Sequence, residues 1–251
     1  MKLNPFENLY IKLMALYGPR GWWPLMDYAR QPDPFLIPVK GYHPLDYSLP
    51  NNDDQRYEIC IGAILTQNTT FDSVVTALQT IRRVGPITPE VLMGFSDVAL
   101  KQAIRPVGYF NQKADYLRSF TLWFLNRNPK IPTRNALLNL RGIGPETADS
   151  MLLYAWKQPQ MVVDAYTQRF LFSLKLFPEK SGYSNVKSAI EQAFFQSKTA
   201  DKVIVFQEFH ALMVEHGKRF YSRRPYGIND PLIAANENVK NADELHFTAK
   251  W

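Results

Sequence analysis

Two stretches in which apolar residues recur at helical steps flank the run Leu140-Arg141-Gly142-Ile143-Gly144-Pro145, and no other feature narrows the choice of fold as far. Leu137, Leu138 and Leu140 lie before the turn. After it, Ala148, Met151, Leu152 and Ala155 recur at three- and four-residue steps. Gly142 and Gly144 have no Cβ, so the turn is expected to reach positive φ and let its backbone approach a nucleic-acid strand closely. Pro145 suits the first position of the next helix, whose free amides and positive dipole end can take a phosphate. The glycines alone would equally suit a structural corner. The leucine before them, the proline after them, the small helix face and Val162-Val163-Asp164 at a fixed distance favour a strand-gripping hairpin.

Elsewhere the pattern is helical nearly throughout, and no alternating strand stands out. Helices are expected near residues 5–16, 55–65, 70–82, 96–104, 112–126, 134–139, 145–157, 164–176, 184–196 and 201–218, with breaks at Gly85-Pro86, Asn128-Pro129 and Pro159. The fold class is therefore all-α. Pro32, Pro34, Pro38, Pro44 and Pro50 fall in a Pro-rich excursion at 30–54, which favours extended or turn geometry at the surface.

At 251 residues the chain is long enough for one large domain or two small lobes. Lys and Arg outnumber Asp and Glu by 29 to 23, a net charge of +6 that suits a polyanionic partner. Cys60, the single cysteine, sits in the apolar run Ile59 to Leu65 and reads as a buried reduced thiol. No intrachain disulfide is possible, and no apolar run approaches the length that spans a bilayer. A reducing, cytoplasmic setting without a membrane partner is expected. His210 and His216 stand six residues apart, off a common helical face, so no metal is expected, and with no P-loop or dinucleotide fingerprint no nucleotide cofactor is expected.

LRGIGPETAD followed by VVDAYTQRF resembles the helix-hairpin-helix glycosylase superfamily to which endonuclease III belongs. YEICIGAILTQNTTFDSVVTALQT at 57–80 and GYFNQKADYL at 108–117 extend the resemblance over roughly residues 55 to 220. Trp22-Trp23-Pro24, the LTQNTTF run ending in Phe71, and Glu146 are most similar to the class III bacterial 3-methyladenine DNA glycosylases. The resemblance implies two helical lobes with a cleft between them. The first 56 residues would pack with a C-terminal part at 159–251, and a central lobe at 57–158 would hold the hairpin at 133–157. The iron-sulfur cluster of many relatives needs four thiolates. One cysteine cannot supply them.

The implied activity is hydrolysis of the glycosidic bond of an alkylated purine in double-stranded DNA, by a bacterial, nucleoid-associated monomer. Asp164 would stabilise the oxocarbenium-like sugar and orient or deprotonate water. It would also serve as an ordinary helix N-cap, worth about 1 kcal/mol. The strand-cleaving relatives carry lysine where this chain has Glu146, and glutamate cannot form an imine, so no lyase step is expected. Glu146 also fits as a first-turn acid favoured by the helix dipole.

Trp22, Trp23, Pro24 and Phe71 would wall the base pocket with Glu146 and Lys218, although aromatic residues near helix ends also serve as core. Gln67 matches the position that fills the gap left by an everted base, or else is a loop amide capping a neighbour. Gly142, Gly144 and Thr147 would bind the DNA backbone. Lys218, Arg219, Arg223 and Arg224 form a basic cluster that would also suit plain solvated surface. Excision of a mismatched or oxidised base, and a noncatalytic DNA-binding role, remain open alternatives.

Overall fold

The computed structural model describes residues 4–26, 41–128, 130–196 and 201–233. Among the described residues the regular elements are helices. They run α1 (Pro5–Tyr17), α2 (Asp53–Leu65), α3 (Phe71–Arg82), α4 (Pro89–Gly94), α5 (Asp97–Ala103), a 3-10 turn (Arg105–Val107), α6 (Phe110–Asn126), α7 (Arg134–Leu138), α8 (Pro145–Ser150), a π turn (Met151–Ala155), α9 (Ala165–Ser173), α10 (Tyr183–Phe195) and α11 (Lys202–Phe220). The chain divides into two units. One comprises Met1–Gly18, Val163–Thr199 and Phe209–Trp251, and the other Pro19–Val162 and Ala200–Glu208.

In the larger unit α2 is the central helix. Its residues from Tyr57 to Leu65 are all buried, because YEICIGAIL is apolar on nearly every side rather than along one stripe. Each fully buried Ile or Leu contributes about 1.5–3 kcal/mol. Asn52 caps the helix by accepting the Gln55 N–H at 2.9 Å. Against α2 pack α3, α6, α8 and the π turn. The buried Tyr57 and Thr121 hydroxyls lie 2.6 Å apart, satisfying polar atoms that would otherwise oppose burial. Cys60 is enclosed in this core, and burial pushes its thiol pKa up.

The helix expected over 145–157 changes form at Met151. The Trp156 N–H reaches back to the Met151 carbonyl at 3.3 Å, a wider turn that seats the wholly buried run from Met151 to Trp156. α4 falls outside the expected helices despite local start signals: Thr88 caps it, Pro89 opens it and Glu90 follows. Six residues are too few to display an apolar repeat.

In the other unit, Asn4 and Glu7 close a capping box at the start of α1. Tyr10 then packs edge-on against Phe194 of α10 and Phe209 of α11, at 6.3 and 5.8 Å. The expected N-terminal segment of 56 residues divides at Gly18. Only α1 groups with the C-terminal residues. From Pro19 onward the chain belongs to the larger unit, where Trp22 and Trp23 meet Phe71 and Tyr154, and Glu58 accepts the Met26 N–H at 2.5 Å. Of the Pro-rich excursion, residues 30–40 lie outside the described residues, as do 234–251 of the tail.

Candidate functional site

The hairpin is held from both flanks. Arg134, opening α7, donates through Nε and an Nη to the two oxygens of Asp149 on α8, at 2.8 and 3.1 Å. The Asp149 carboxylate is wholly buried, so this bidentate pair satisfies a charge that would otherwise be costly to enclose. Gly142 takes φ +84°, and a Cβ there would stand 2.4 Å from the Tyr116 ring. Both the conformation and the close ring exclude a side chain. Gly144 differs from expectation: its φ is −89°, which any residue can adopt, and a Cβ would meet open space. It is the N-cap of α8 and exposed, and no side chain makes a cap hydrogen bond to that turn.

Gln67 follows α2 and is turned toward the hairpin. Its Nε2 donates to the Gly142 carbonyl at 2.8 Å and to the Thr147 hydroxyl at 3.0 Å. The amide braces the hairpin, and Thr147, expected at the DNA backbone, is buried and accepts from Gln67. Lys113 steadies the same loop from beneath. Its buried ammonium donates to the Leu65, Gln67 and Val107 carbonyls at 2.9, 2.8 and 2.9 Å, and burial holds its pKa down to about 8. Glu146 is exposed in the first turn of α8, where the dipole favours an acid.

Trp22, Trp23 and Phe71 come together. Trp22 lies 4.8 Å from Phe71 and 5.4 Å from Trp23, which stands 5.8 Å from Phe71 and 5.6 Å from Tyr154. Pro24 is buried beside them in sequence. The segment is suspended from distant residues. The buried Glu208 carboxylate accepts the Arg20 and Gly21 N–H groups at 2.6 and 3.1 Å and the Tyr47 hydroxyl at 3.2 Å. Gly62 makes room on α2 for the Trp23 indole, since a Cβ there would lie 3.0 Å from its Nε1.

In the other unit Asp164 caps α9. The residue is half-buried, and Oδ1 accepts the Thr167 N–H at 2.7 Å. His210 on α11 is buried. Burial pushes its pKa down against the charge of Asp164, so a neutral imidazole sits near the carboxylate. Gly217, two turns along α11, meets Tyr166 in the first turn of α9 so closely that a Cβ would lie 2.4 Å from Tyr166 Cβ. This contact carries Lys218, which is exposed, alongside the helix that Asp164 begins.

Arg219, Arg223 and Arg224 are exposed too, but Arg219 is committed to Glu215 at 2.8 Å and to the Tyr17 ring at 4.7 Å. Arg224 lies 5.6 Å over Tyr226. His216 is internal, between the Tyr17 hydroxyl at 2.7 Å and Asp230 at 2.9 Å. Burial pushes the Asp230 pKa up, but hydrogen bonds from His216, Tyr221 and the Leu232 N–H outweigh it and leave the carboxyl below its ordinary value. Among the described residues no three His, Cys, Asp or Glu side chains gather to hold a metal ion, and no helix is long and apolar enough to cross a membrane.

Sequence reading missed Tyr116, Lys113 and Glu208, and the place of His210 beside Asp164. The basic residue in GYFNQKADYL was a usable sign for Lys113, because a charge amid helix-core positions needs acceptors. The others depend on contacts made only in the fold.

A glycine hairpin locked between two ion-paired helices, followed by an aspartate-capped helix, defines a helix-hairpin-helix protein. Residues 61–195 match the HhH-GPD superfamily of base excision DNA repair proteins, and the chain belongs to that superfamily, as a DNA glycosylase of the base excision type. A candidate DNA repair glycosylase of Methanocaldococcus jannaschii is 30% identical over 246 residues, covering 92% of this chain and 97% of that protein. The 3-methyladenine DNA glycosylase of H. pylori, solved with 1,N6-ethenoadenine, matches at TM-score 0.59 and 27% identity, over 67% of this chain and 89% of its own. An endonuclease III trapped in a covalent intermediate with DNA shares the fold at TM-score 0.64 and 16% identity, over 92% and 94%.

Proposed function

We propose that the protein is a monofunctional glycosylase that hydrolyses the N-glycosidic bond of alkylated purines such as 3-methyladenine in duplex DNA. Breaking that bond leaves positive charge on the sugar. The half-buried Asp164 carboxylate spends one oxygen on the cap of α9, and the neutral His210 nearby brings no competing cation. The carboxylate stabilises the sugar cation and orients or deprotonates the attacking water. Alkylation leaves the base cationic and already a good leaving group, so recognition matters more than protonation. Aromatic faces attract such a ring, by about 0.5–2 kcal/mol beyond stacking.

The observation that carries the substrate assignment is the assembly of Trp22, Trp23 and Phe71 into one aromatic group, with the alkylpurine glycosylase of H. pylori among the similar proteins. The absence of a lyase step rests on Glu146, which cannot form an imine where strand-cleaving relatives carry lysine. Backbone amides at Gly142 and Gly144 take DNA phosphate.

Methylated duplex tests the reading directly. Wild type should release methylated purines, Asp164→Asn should lose about 10²–10³-fold in rate while still binding DNA, and borohydride should trap no covalent adduct. An adduct would overturn the monofunctional assignment, and a wild type that releases no base would overturn the substrate.

A further inference from the structure

Tyr42, in the described part of the Pro-rich stretch, touches the aromatic group and has no part in the function above. Its ring centroid is 5.3 Å from that of Trp22 at 57°, almost as near as Phe71 at 4.8 Å and 51°. The placement is built on both sides of the residue. The Gly41 carbonyl accepts the Leu25 N–H at 3.0 Å, and the His43 N–H donates to the Gly21 carbonyl at 3.1 Å. The neighbours of Tyr42 are therefore tied to the neighbours of Trp22-Trp23-Pro24. Two glycines with positive φ make the approach possible. A Cβ on Gly21 would stand 2.2 Å from the His43 carbonyl carbon, and one on Gly41 would stand 2.5 Å from the Leu25 carbonyl oxygen. The His43 imidazole bridges the Trp23 and Asp46 carbonyls at 3.0 and 2.8 Å.

Separation of the rings sets the requirement. A base stacked between Trp22 and Phe71 needs two contacts of about 3.5–4 Å, hence about 7–8 Å between the rings. The observed 4.8 Å admits nothing, so the rings must part for a base to enter. Trp22 and Phe71 are both buried, so either ring can move only against its own neighbours, and Tyr42 is one of those of Trp22.

We propose that Tyr42 is a specificity-determining residue of the base pocket: it limits how far Trp22 withdraws and adds an aromatic face. Together these favour a small cationic methylpurine over a neutral purine with a fused extra ring. The inference rests on the alkylpurine reading above.

The test compares release of 3-methyladenine from methylated duplex with release of 1,N6-ethenoadenine from a defined duplex. Tyr42→Ala should lower the ratio of the two kcat/KM values about tenfold, by slowing the methylpurine and speeding the fused one; that is about 1.4 kcal/mol of discrimination. If wild type releases ethenoadenine too slowly to time, measurable release by Tyr42→Ala counts as the gain. Tyr42→Phe should keep the ratio within about threefold, or about 0.7 kcal/mol. Tyr42→Leu repeats the measurement should the alanine variant fail to fold. Equal slowing of both substrates would make Tyr42 only a prop and overturn the inference, as would an unchanged ratio. If Trp22→Ala abolishes methylpurine release while Tyr42→Ala leaves selectivity untouched, the alkylpurine reading stands and this inference alone falls. A wild type inactive on every alkylated base removes both.

Discussion

The hairpin and the tryptophan segment are both pinned by a buried carboxylate, but the partners lie at very different distances along the chain. Asp149 meets Arg134 across 15 residues, within one helix-turn-helix unit, whereas Glu208 meets Arg20 and Gly21 across 188 and 187. The short loop costs little entropy to close and can form early; the long one is completed only when α11 arrives. A region built from near neighbours carries its plan in its own sequence. A region hung from remote residues does not, and its geometry answers to substitutions that no inspection of the segment itself would single out.

Three substitutions bear on this contrast. Arg134→Ala strips the partner from a wholly buried carboxylate and should cost about 3 kcal/mol, the low end for such a pair because the arginine side chain is a third exposed. Denaturant unfolding measures this, and a loss below about 1 kcal/mol would deny the pair its locking role.

Glu208→Ala leaves two backbone N–H groups without their acceptor and should cost about 1–3 kcal/mol, with base release falling further than DNA binding. If stability falls while release per folded molecule is unchanged, the tryptophan segment does not depend on this anchor.

Lys113 gives the smallest effect, on the loop beside the hairpin. Its pKa falls from 10.5 to about 8 on folding because the ammonium is buried. Between those values the unfolded chain holds a proton that the folded chain has released, so its contribution to stability rises with pH across that window and is flat below it. In Lys113→Met that rise should vanish, seen as a shallower stability profile from neutral pH to pH about 10. Parallel profiles for variant and wild type would mean the ammonium is better solvated than its three carbonyl partners suggest.

What could be read beforehand follows the same division. The helices and the hairpin were legible because Leu137, Gly142, Pro145 and Ala148 express their geometry within a few residues, and the Asp164 cap likewise. Trp22, Trp23 and Phe71 were named through the resemblance, and the fold brings them together. Gly144 was misjudged because an N-cap glycine and a positive-φ glycine look the same on paper. The π turn after Ser150 was invisible, since it buries the residues an α-helix would. Tyr42 was hidden within a proline-rich stretch, and its place beside Trp22 depends on close approaches at Gly21 and Gly41 that are made only in the fold.

Cys60 has a consequence for the chemistry around such an enzyme. Reagents that methylate DNA also consume accessible thiolates, and the chain has one sulfhydryl, enclosed in α2 and held protonated by its apolar surroundings. The protein therefore presents no reactive thiolate to electrophiles in the surrounding solution.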